Sequence, residues 1–396
     1  MMQISPETQL FIREHSSDDV RVLALQAKKY PDIDMPTAIT QIAGRQVAAE
    51  KIPSWREIEE IWYPKHLSLE QCSSEITARY KARLLQGDSL TDLTGGFGID
   101  CSFLATGFKS ATYVERQEEL CEIAAHNFPV LNLNHINIKN EDGVTYLQAM
   151  SPVDCLFLDP ARRNEHGGKT VAISDCEPNV AELEELLLQK ANRVMIKLSP
   201  MLDLSLALKE LKQTQEVHIL SVNNECKELL ILLGQTSPTE ISIHCVNLST
   251  KGTQEEQHFV FTREQEQCSE CTYTDSLETY LYEPNASLLK AGAFRSIAAA
   301  YPVRKLHPNS HLYTSDTFIE NFPGRIFRIV NQCSFNKKEV KENLADLKKA
   351  NVTVRNFPAT VAELRKRIHL AEGGDTYLFA STLNNGQKVL IRCEKV

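Results

Sequence analysis

Four acidic residues recur through the first 160 positions, each beside a short apolar run, and the first sits in a glycine-rich turn, Leu90-Thr-Asp-Leu-Thr-Gly-Gly-Phe-Gly-Ile-Asp100. Glycine is needed where a backbone turns sharply and passes close to a ligand. In an open α/β sheet that ligand lies beyond the carboxyl ends of the strands, beside a helix N-terminus. A nucleotide site is implied, and the spacing narrows its kind. A dinucleotide fingerprint requires glycine at the sixth position counted from Gly96, where this chain has Cys101. The G-x-x-x-x-G-K-[ST] phosphate cradle is missing too, because Gly167-Gly-Lys-Thr170 lacks the leading glycine. A nucleoside without phosphates suits the pattern better. Glu115, seventeen residues after Gly98, follows the second apolar run and can accept both ribose hydroxyls. Each such charge-assisted hydrogen bond contributes roughly 1.5–3 kcal/mol. Asp142 follows the third run, placed to receive an adenine amino group, and Asp159-Pro-Ala-Arg162 follows the fourth.

These residues need strands to carry them. Over residues 88–235 the runs Ser89–Leu93, Ala111–Glu115, Ile136–Asn140, Asp154–Leu158, Arg193–Leu198, Val217–Val222 and Leu229–Leu233 are expected strands, the early ones alternating with helical stretches. Continuous apolar strands with helices between them predict a doubly wound, mostly parallel sheet covered on both faces. Only Asn223–Glu228 separates the last two runs, too little for a helical crossover, so an antiparallel hairpin is expected at the sheet edge. Residues 1–87 read as a helical domain. Val20, Leu23, Ala24 and Ala27 hold helical spacing, a second helix starts near Pro36, and a longer one opens at a Ser68/Gln71 capping box and ends at Gly87. Residues 236–321 read as a linker and a small α+β segment, with a helix from the cap residue Asn285 to about Tyr301. Residues 322–396 read as a β-α-β-α-β-β unit whose Asn385-Gly386 is a strong hairpin signal.

In the central segment the sequence resembles the class I S-adenosylmethionine-dependent methyltransferases, with four elements in order at four successive strand ends. Asp92 with Gly95, Gly96 and Gly98 matches the family's first motif, Glu115 its ribose-binding acid, Asp142 its adenine contact and Asp159-Pro160 its catalytic-loop motif. The resemblance implies a Rossmann-like seven-stranded sheet, S-adenosyl-L-methionine as cofactor and a catalytic group of Asp159, Pro160 and Arg162. The amino-methylating members have Asp/Asn-Pro-Pro and an aromatic residue; here Ala161 and Arg162 stand instead. Arg162 and Arg163 are either phosphate-contacting or stacking groups, or solvated loop arginines. A covalent cytosine mechanism needs an activated thiolate, and neither Cys155 nor Cys226 has the expected Pro-Cys context, so direct methyl transfer is favoured. Two further stretches are candidate pocket walls: Lys197-Leu-Ser-Pro200, and the polar helix Gln71–Tyr80, which reads equally as an ordinary amphipathic helix.

The 396 residues predict two or three domains, and 42% hydrophobic against 24% charged residues exclude global disorder. A net charge of −9 argues against a simple nucleic-acid-binding chain, but the charge is unevenly distributed. Residues 1–285 carry −18 and residues 286–396 carry +9. Lys337, Lys338 and Lys341 on one expected helix and Arg365, Lys366 and Arg367 on the next are candidate RNA contacts, with Arg325, Arg328 and Arg355 adding charge on strands. This module resembles, in architecture alone, the THUMP-like RNA-binding domains appended to RNA methyltransferases. Eleven scattered cysteines, one C-x-x-C at Cys268–Cys271 and no long apolar run predict a cytoplasmic protein with reduced thiols, no membrane span and no metal site. The expected function is methyl transfer to structured RNA, rRNA or tRNA. The alternatives are a small-molecule or protein methyltransferase, or an RNA-binding scaffold with a vestigial cofactor fold. No DNA preference and no protein partner is legible.

Overall fold

The computed structural model describes residues 4–162, 172–236, 238–250 and 256–396. It divides into two compact units, residues 1–216 with 229–239, and residues 217–228 with 240–396.

The first unit begins with helices α1 (Pro6–Glu14), α2 (Val20–Leu25), α3 (Met35–Lys51), α4 (Pro53–Arg56), α5 (His66–Gln71) and α6 (Glu75–Ala82). Ser5 and Asp34 cap α1 and α3 by accepting from Thr8 N and Thr37 N. The long helix expected from Ser68 to Gly87 is instead two short ones. Ser68 lies inside α5, and Cys72 and Ser74 are extended. Serines compete with the helix through their own hydroxyls, and here Ser73 spends its hydroxyl on Asp100, at 2.7 Å. The helices share a core with the glycine turn: Ile52, Trp55, Tyr63 and Ala78 pack with Phe97, Ile99 and Ile123.

Strands β1 (Ser89–Asp92), β2 (Ser110–Glu115), β3 (Ile136–Asn140), β4 (Val153–Leu158), β5 (Ala191–Leu198), β6 (Thr214–Val222) and β7 (Glu225–Gly234) are ordered β3-β2-β1-β4-β5-β7-β6. The pairs β3-β2, β2-β1, β1-β4 and β4-β5 are parallel, and β5-β7 is antiparallel. Helices α7 (Ile99–Ala105), α8 (Glu118–Val130), α9 (Gly143–Ala149), α10 (Val180–Lys190) and α11 (Leu204–Glu210) connect them. This is the expected seven-stranded arrangement, with two differences. The β6-β7 connection shrinks to Asn223-Asn224, both with φ of 51–67°, a conformation asparagine tolerates in tight hairpins. That hairpin is also not the edge, because the sheet continues into β8 (Ser242–Leu248) and β9 (Glu256–Thr262). The division between the two units falls within β6 and within β7.

In the second unit β8 and β9 are antiparallel, and Thr262 and Gln265 form a capping box on α12 (Arg263–Cys268). A second sheet holds β10 (Tyr280–Pro284), β11 (Tyr313–Ser315), β12 (Gly324–Ser334), β13 (Asn351–Val354), β14 (Thr376–Thr382) and β15 (Lys388–Lys395). Its order is Arg304–Lys305, β11, β10, β12, β15, β14, β13, so strands from the segment read as a linker join the C-terminal unit's sheet. The helix expected from Asn285 to Tyr301 is two, α13 (Ala286–Ala291), ended by Gly292, and α14 (Ser296–Ala300). Helices α15 (Lys337–Leu344) and α16 (Val361–Ile368) bury Leu344 and Leu364 with Leu378, Ala380 and Leu390, while Phe327, Phe379 and Ile391 belong to a separate core. No described helix is long and apolar enough to cross a membrane.

Gly143 opens α9, and a Cβ there would lie 2.2 Å from the Leu93 carbonyl oxygen at the end of β1. Gly143→Ala therefore forces backbone apart and is expected to destabilise the first unit by about 1–3 kcal/mol. The control Gly107→Ala, whose Cβ meets nothing nearer than 3.7 Å, should shift stability by under about 1 kcal/mol. Urea unfolding of the two variants checks the contrast.

Candidate functional site

The site is built from the ends of β1, β2, β4 and β5. Beyond β1 the chain turns through Gly95, Gly96 and Gly98, the last two with φ of 54° and 86°, conformations that glycine adopts without strain. The turn is held on one side only. A Cβ on Gly95 would strike the Tyr113 ring at 2.3 Å, whereas one on Gly96 would meet nothing nearer than 3.8 Å. The Tyr113 hydroxyl donates to Gly96 O at 2.5 Å and fixes the turn from below.

Asp92 ends β1 fully buried. Its Oδ1 accepts from Thr94 N at 2.9 Å, and its Oδ2 has no hydrogen-bond partner among the described residues. Burial pushes its carboxyl up to about 8, with Asp100 and Asp159 adding to the rise. Glu115, 8% exposed, receives Gly96 N on Oε2 and Gln117 N on Oε1, both at 2.8 Å. Each oxygen has thus used one of its two acceptor positions and keeps the other. Asp142 caps α9, accepting Val144 N and Thr145 N on Oδ1 at 3.1 and 3.0 Å, and is exposed.

The part that sequence reasoning missed is a buried cluster of charge beside the Asp159–Arg162 loop. Asp100, in the first turn of α7, pairs with Lys81 of α6 at 2.9 Å and with Lys197 of β5 at 3.0 Å. The Ser73 hydroxyl donates to Asp100 and accepts from Lys81 at 2.8 Å and from Lys197 at 3.0 Å. Lys197 also meets Asp159 Oδ2 at 2.6 Å. Desolvation would raise the Asp100 carboxyl, but Lys197 and Lys81 outweigh it and hold it well below the usual range. For Asp159, burial wins over the lowering by Lys197, and the carboxyl is raised. Its side chain keeps 37% exposure, and its backbone N–H donates to Thr94 Oγ1 at 2.6 Å. Pro160 is buried, and Ala161–Arg162 pairs with Cys176–Glu177 as a two-residue ribbon. The Arg162 side chain and all of Arg163 lie outside the described residues. The stretches 71–80 and Lys197–Pro200, read as candidate walls, thus supply Ser73 and Lys197; Lys81 and Asp100 carried no assigned role.

Cys155 and Cys226 are raised to about 11 by burial, which leaves them thiols at neutral pH. In the second unit Lys337, Lys338, Lys341, Lys366 and Arg367 are exposed, while Arg365 is half-buried and donates to Glu372 at 2.8 Å. Arg367 lies 4.0 Å over the Phe335 ring. The strand arginines contribute less free charge than their count suggests. Arg325 and Arg355 both pair with the buried carboxylate of Glu283, and Arg328 pairs with Glu394.

The central sheet has a Rossmann-like seven-stranded methyltransferase fold, and strands β12–β15 of the C-terminal sheet lie in a THUMP-like domain. Family models match the chain as a ferredoxin-like domain over residues 280–323 and as a THUMP domain-like region over residues 324–395. No protein of curated function matches it. Among solved structures, the crystal structure of a "putative methyltransferase" from Porphyromonas gingivalis W83 is 34% identical, covers 100% of both chains and superposes with a TM-score of 0.87. The chain belongs to the family of that protein. An rRNA methylase from Streptococcus thermophilus, 14% identical, covers 40% of this chain and 93% of its own, with a TM-score of 0.30. A "putative methyltransferase" from Streptococcus mutans in complex with SAH, also 14% identical, covers 40% of this chain and 96% of its own, with the same TM-score.

A carboxyl raised by folding binds a proton in the native state that the unfolded chain, with a value near 3.9, has already lost, so stability falls as pH rises between the two values. For Asp92 that window runs from about 4 to about 8. Asp92→Asn removes the titration, and its melting temperature should gain on the wild type from pH 5 to pH 8, by roughly 2–4 °C per kcal/mol. Ligand-free thermal scans across that range check it, and parallel curves for the two proteins would contradict it.

Proposed function

We propose that the protein is an S-adenosylmethionine-dependent methyltransferase that acts on structured RNA, rRNA or tRNA, by direct methyl transfer. The observation that carries the cofactor reading is Glu115, a carboxylate held by two backbone N–H groups at the end of β2 beside the open side of Gly96. Its remaining acceptor positions suit the two hydroxyls of a ribose. The exposed Asp142 suits the adenine amino group, and the unpartnered Asp92 Oδ2 is a buried polar atom of the kind a ligand's polar group satisfies. When bound, S-adenosylmethionine supplies an electrophilic methyl group on a sulfonium. The protein's own share is to orient the acceptor for in-line attack, with Asp159 at the end of β4 accepting its hydrogen. The inert thiols of Cys155 and Cys226 favour this direct route over a covalent one.

Support for RNA comes from the THUMP domain-like match, the positive charge of residues 286–396 and the exposed lysines of α15 and α16. These are the groups that neutralise phosphates, and such binding weakens as salt displaces it.

S-adenosylhomocysteine should raise the melting temperature of the wild type, because a ligand that binds only the native state stabilises it by mass action. Glu115→Ala should weaken that binding by about 10–100-fold in calorimetry, from the loss of one or two charge-assisted hydrogen bonds. Absence of any shift in the wild type would remove the cofactor reading.

For RNA, affinity for unmodified tRNA or rRNA fragments should fall steeply between about 50 and 200 mM salt. Replacing Lys337, Lys338 and Lys341 together by Gln should weaken binding at low salt and flatten that dependence by about one unit of slope per lost contact. Fluorescence anisotropy reads both, and an unchanged slope would exclude this face.

A further inference from the structure

Three histidines of the second unit meet on one face of its strands: His218 on β6, His244 on β8 and His258 on β9. β8 and β9 pair antiparallel, with His244 opposite Val260 and Val246 opposite His258. Residues opposite each other share a face, so the two histidines are diagonal neighbours on it. Their ring centroids lie 5.3 Å apart, and His244 Nδ1 meets His258 Nε2 at 3.1 Å. β8 lies between β9 and β6 in the sheet, and His244 stacks in turn on His218, with centroids 4.3 Å apart and planes within 13°. A ring nitrogen of His218 and one of His244 lie within 4.8 Å of each other. The row runs from core to solvent: His218 is buried, His244 half-buried and His258 exposed, next to the exposed Val260.

We propose that His218, His244 and His258 form a binding site for a divalent transition-metal ion of the zinc class, held by one nitrogen from each of three adjacent strands, with water from the open side completing the coordination.

The ligand chemistry sets the class of ion. Imidazole nitrogen suits zinc, nickel and copper, whereas calcium and magnesium require oxygen ligands. With zinc–nitrogen bonds of about 2.0–2.1 Å, two nitrogens on one tetrahedral ion are about 3.3 Å apart. His244 and His258 are already near that separation. His218 reaches it by a turn about χ2, a broad and soft torsion in histidine. Each imidazole gives the ion one of its two nitrogens and keeps the other for a hydrogen bond, the arrangement that orients metal-binding histidines. The histidines are 26 and 14 positions apart, a spacing that matches no metal motif, which is why the sequence reads as having no metal site. Strand pairing alone brings them together. A bound ion ties β9 and β8 to β6 through side chains, in addition to the backbone ladder. This site is independent of the methyltransferase reading.

The test uses the full-length chain, untagged and with its thiols reduced. Calorimetric titration with nickel(II) should show one site per chain, and nickel in excess should raise the melting temperature by mass action. His258→Gln, at an exposed position that leaves folding intact, should weaken nickel binding by at least about 10-fold, since even groups that only orient a ligand cost that much. His244→Gln should weaken it similarly. Replacing Cys268 and Cys271 together by Ser should leave nickel binding unchanged. Cobalt(II) in place of nickel should give a visible spectrum without the intense band of a thiolate ligand. The proposal is overturned by a wild type that binds no nickel, by equal affinity in the wild type and both histidine variants, by loss of binding in the cysteine variant, or by a thiolate band with cobalt.

Discussion

Taking a carboxylate out of water costs several kcal/mol unless cations and donors replace what water supplied, and Asp100 is where this protein meets that demand. It sits directly after the glycine turn, so it cannot move without the turn moving. Its two cations come from a helix that precedes the sheet and from a strand far along the chain, and a serine in a break between helices completes the set. Apolar packing such as Trp55 against Phe97 presses the same elements together, but such contacts tolerate sliding. The ions do not. Removing one lysine would leave an uncompensated buried carboxylate, so α6, α7 and β5 are locked into one register beside Asp159. The break after α5 follows from the same demand, since a continuous helix would hold the Ser73 hydroxyl among its own turns.

Charge is handled in two ways along the chain. Around Asp100 in the first unit it is buried and matched, in a set of groups that must be complete to be stable. In the second, arginines are mostly consumed by neighbouring acids, two of them by Glu283 alone, and lysines remain on the surface. The positive balance of the C-terminal residues is therefore carried outward by flexible ammonium groups. Such groups suit contact with a polyanion's backbone more than recognition of any one base.

How much of this could be read beforehand depended on how local each feature was. The strand ends with Asp92, Glu115, Asp142 and Asp159 were legible because a β–α turn is decided by a few adjacent residues, and so was the mostly parallel character of the central sheet. The helix expected from Ser68 to Gly87 was misjudged in its continuity because the reason for its break lies on Asp100, 27 residues from Ser73. Lys197 and Ser73 are 124 positions apart, and no periodicity links them. The only hints were a lysine at a strand end and a run of small polar residues on a helix meant to be buried. Residues 236–276 resisted for another reason: β8 and β9 alternate weakly, and what stabilises them is joining a sheet already formed. The Asn223-Asn224 turn was hidden because paired asparagines with left-handed φ substitute for the glycine one looks for.

The chain passes from the first unit to the second within β6, returns within β7 and leaves again after residue 239. No single cut therefore separates the two, and a gene fragment ending after the seventh strand would carry the tip of a hairpin that belongs with residues not yet made. Ordinary domain shuffling, which adds or removes whole cassettes at a linker, has no place to act here. During synthesis every residue of the first unit has been added by position 239, when residues 217–228 are all that exists of the second.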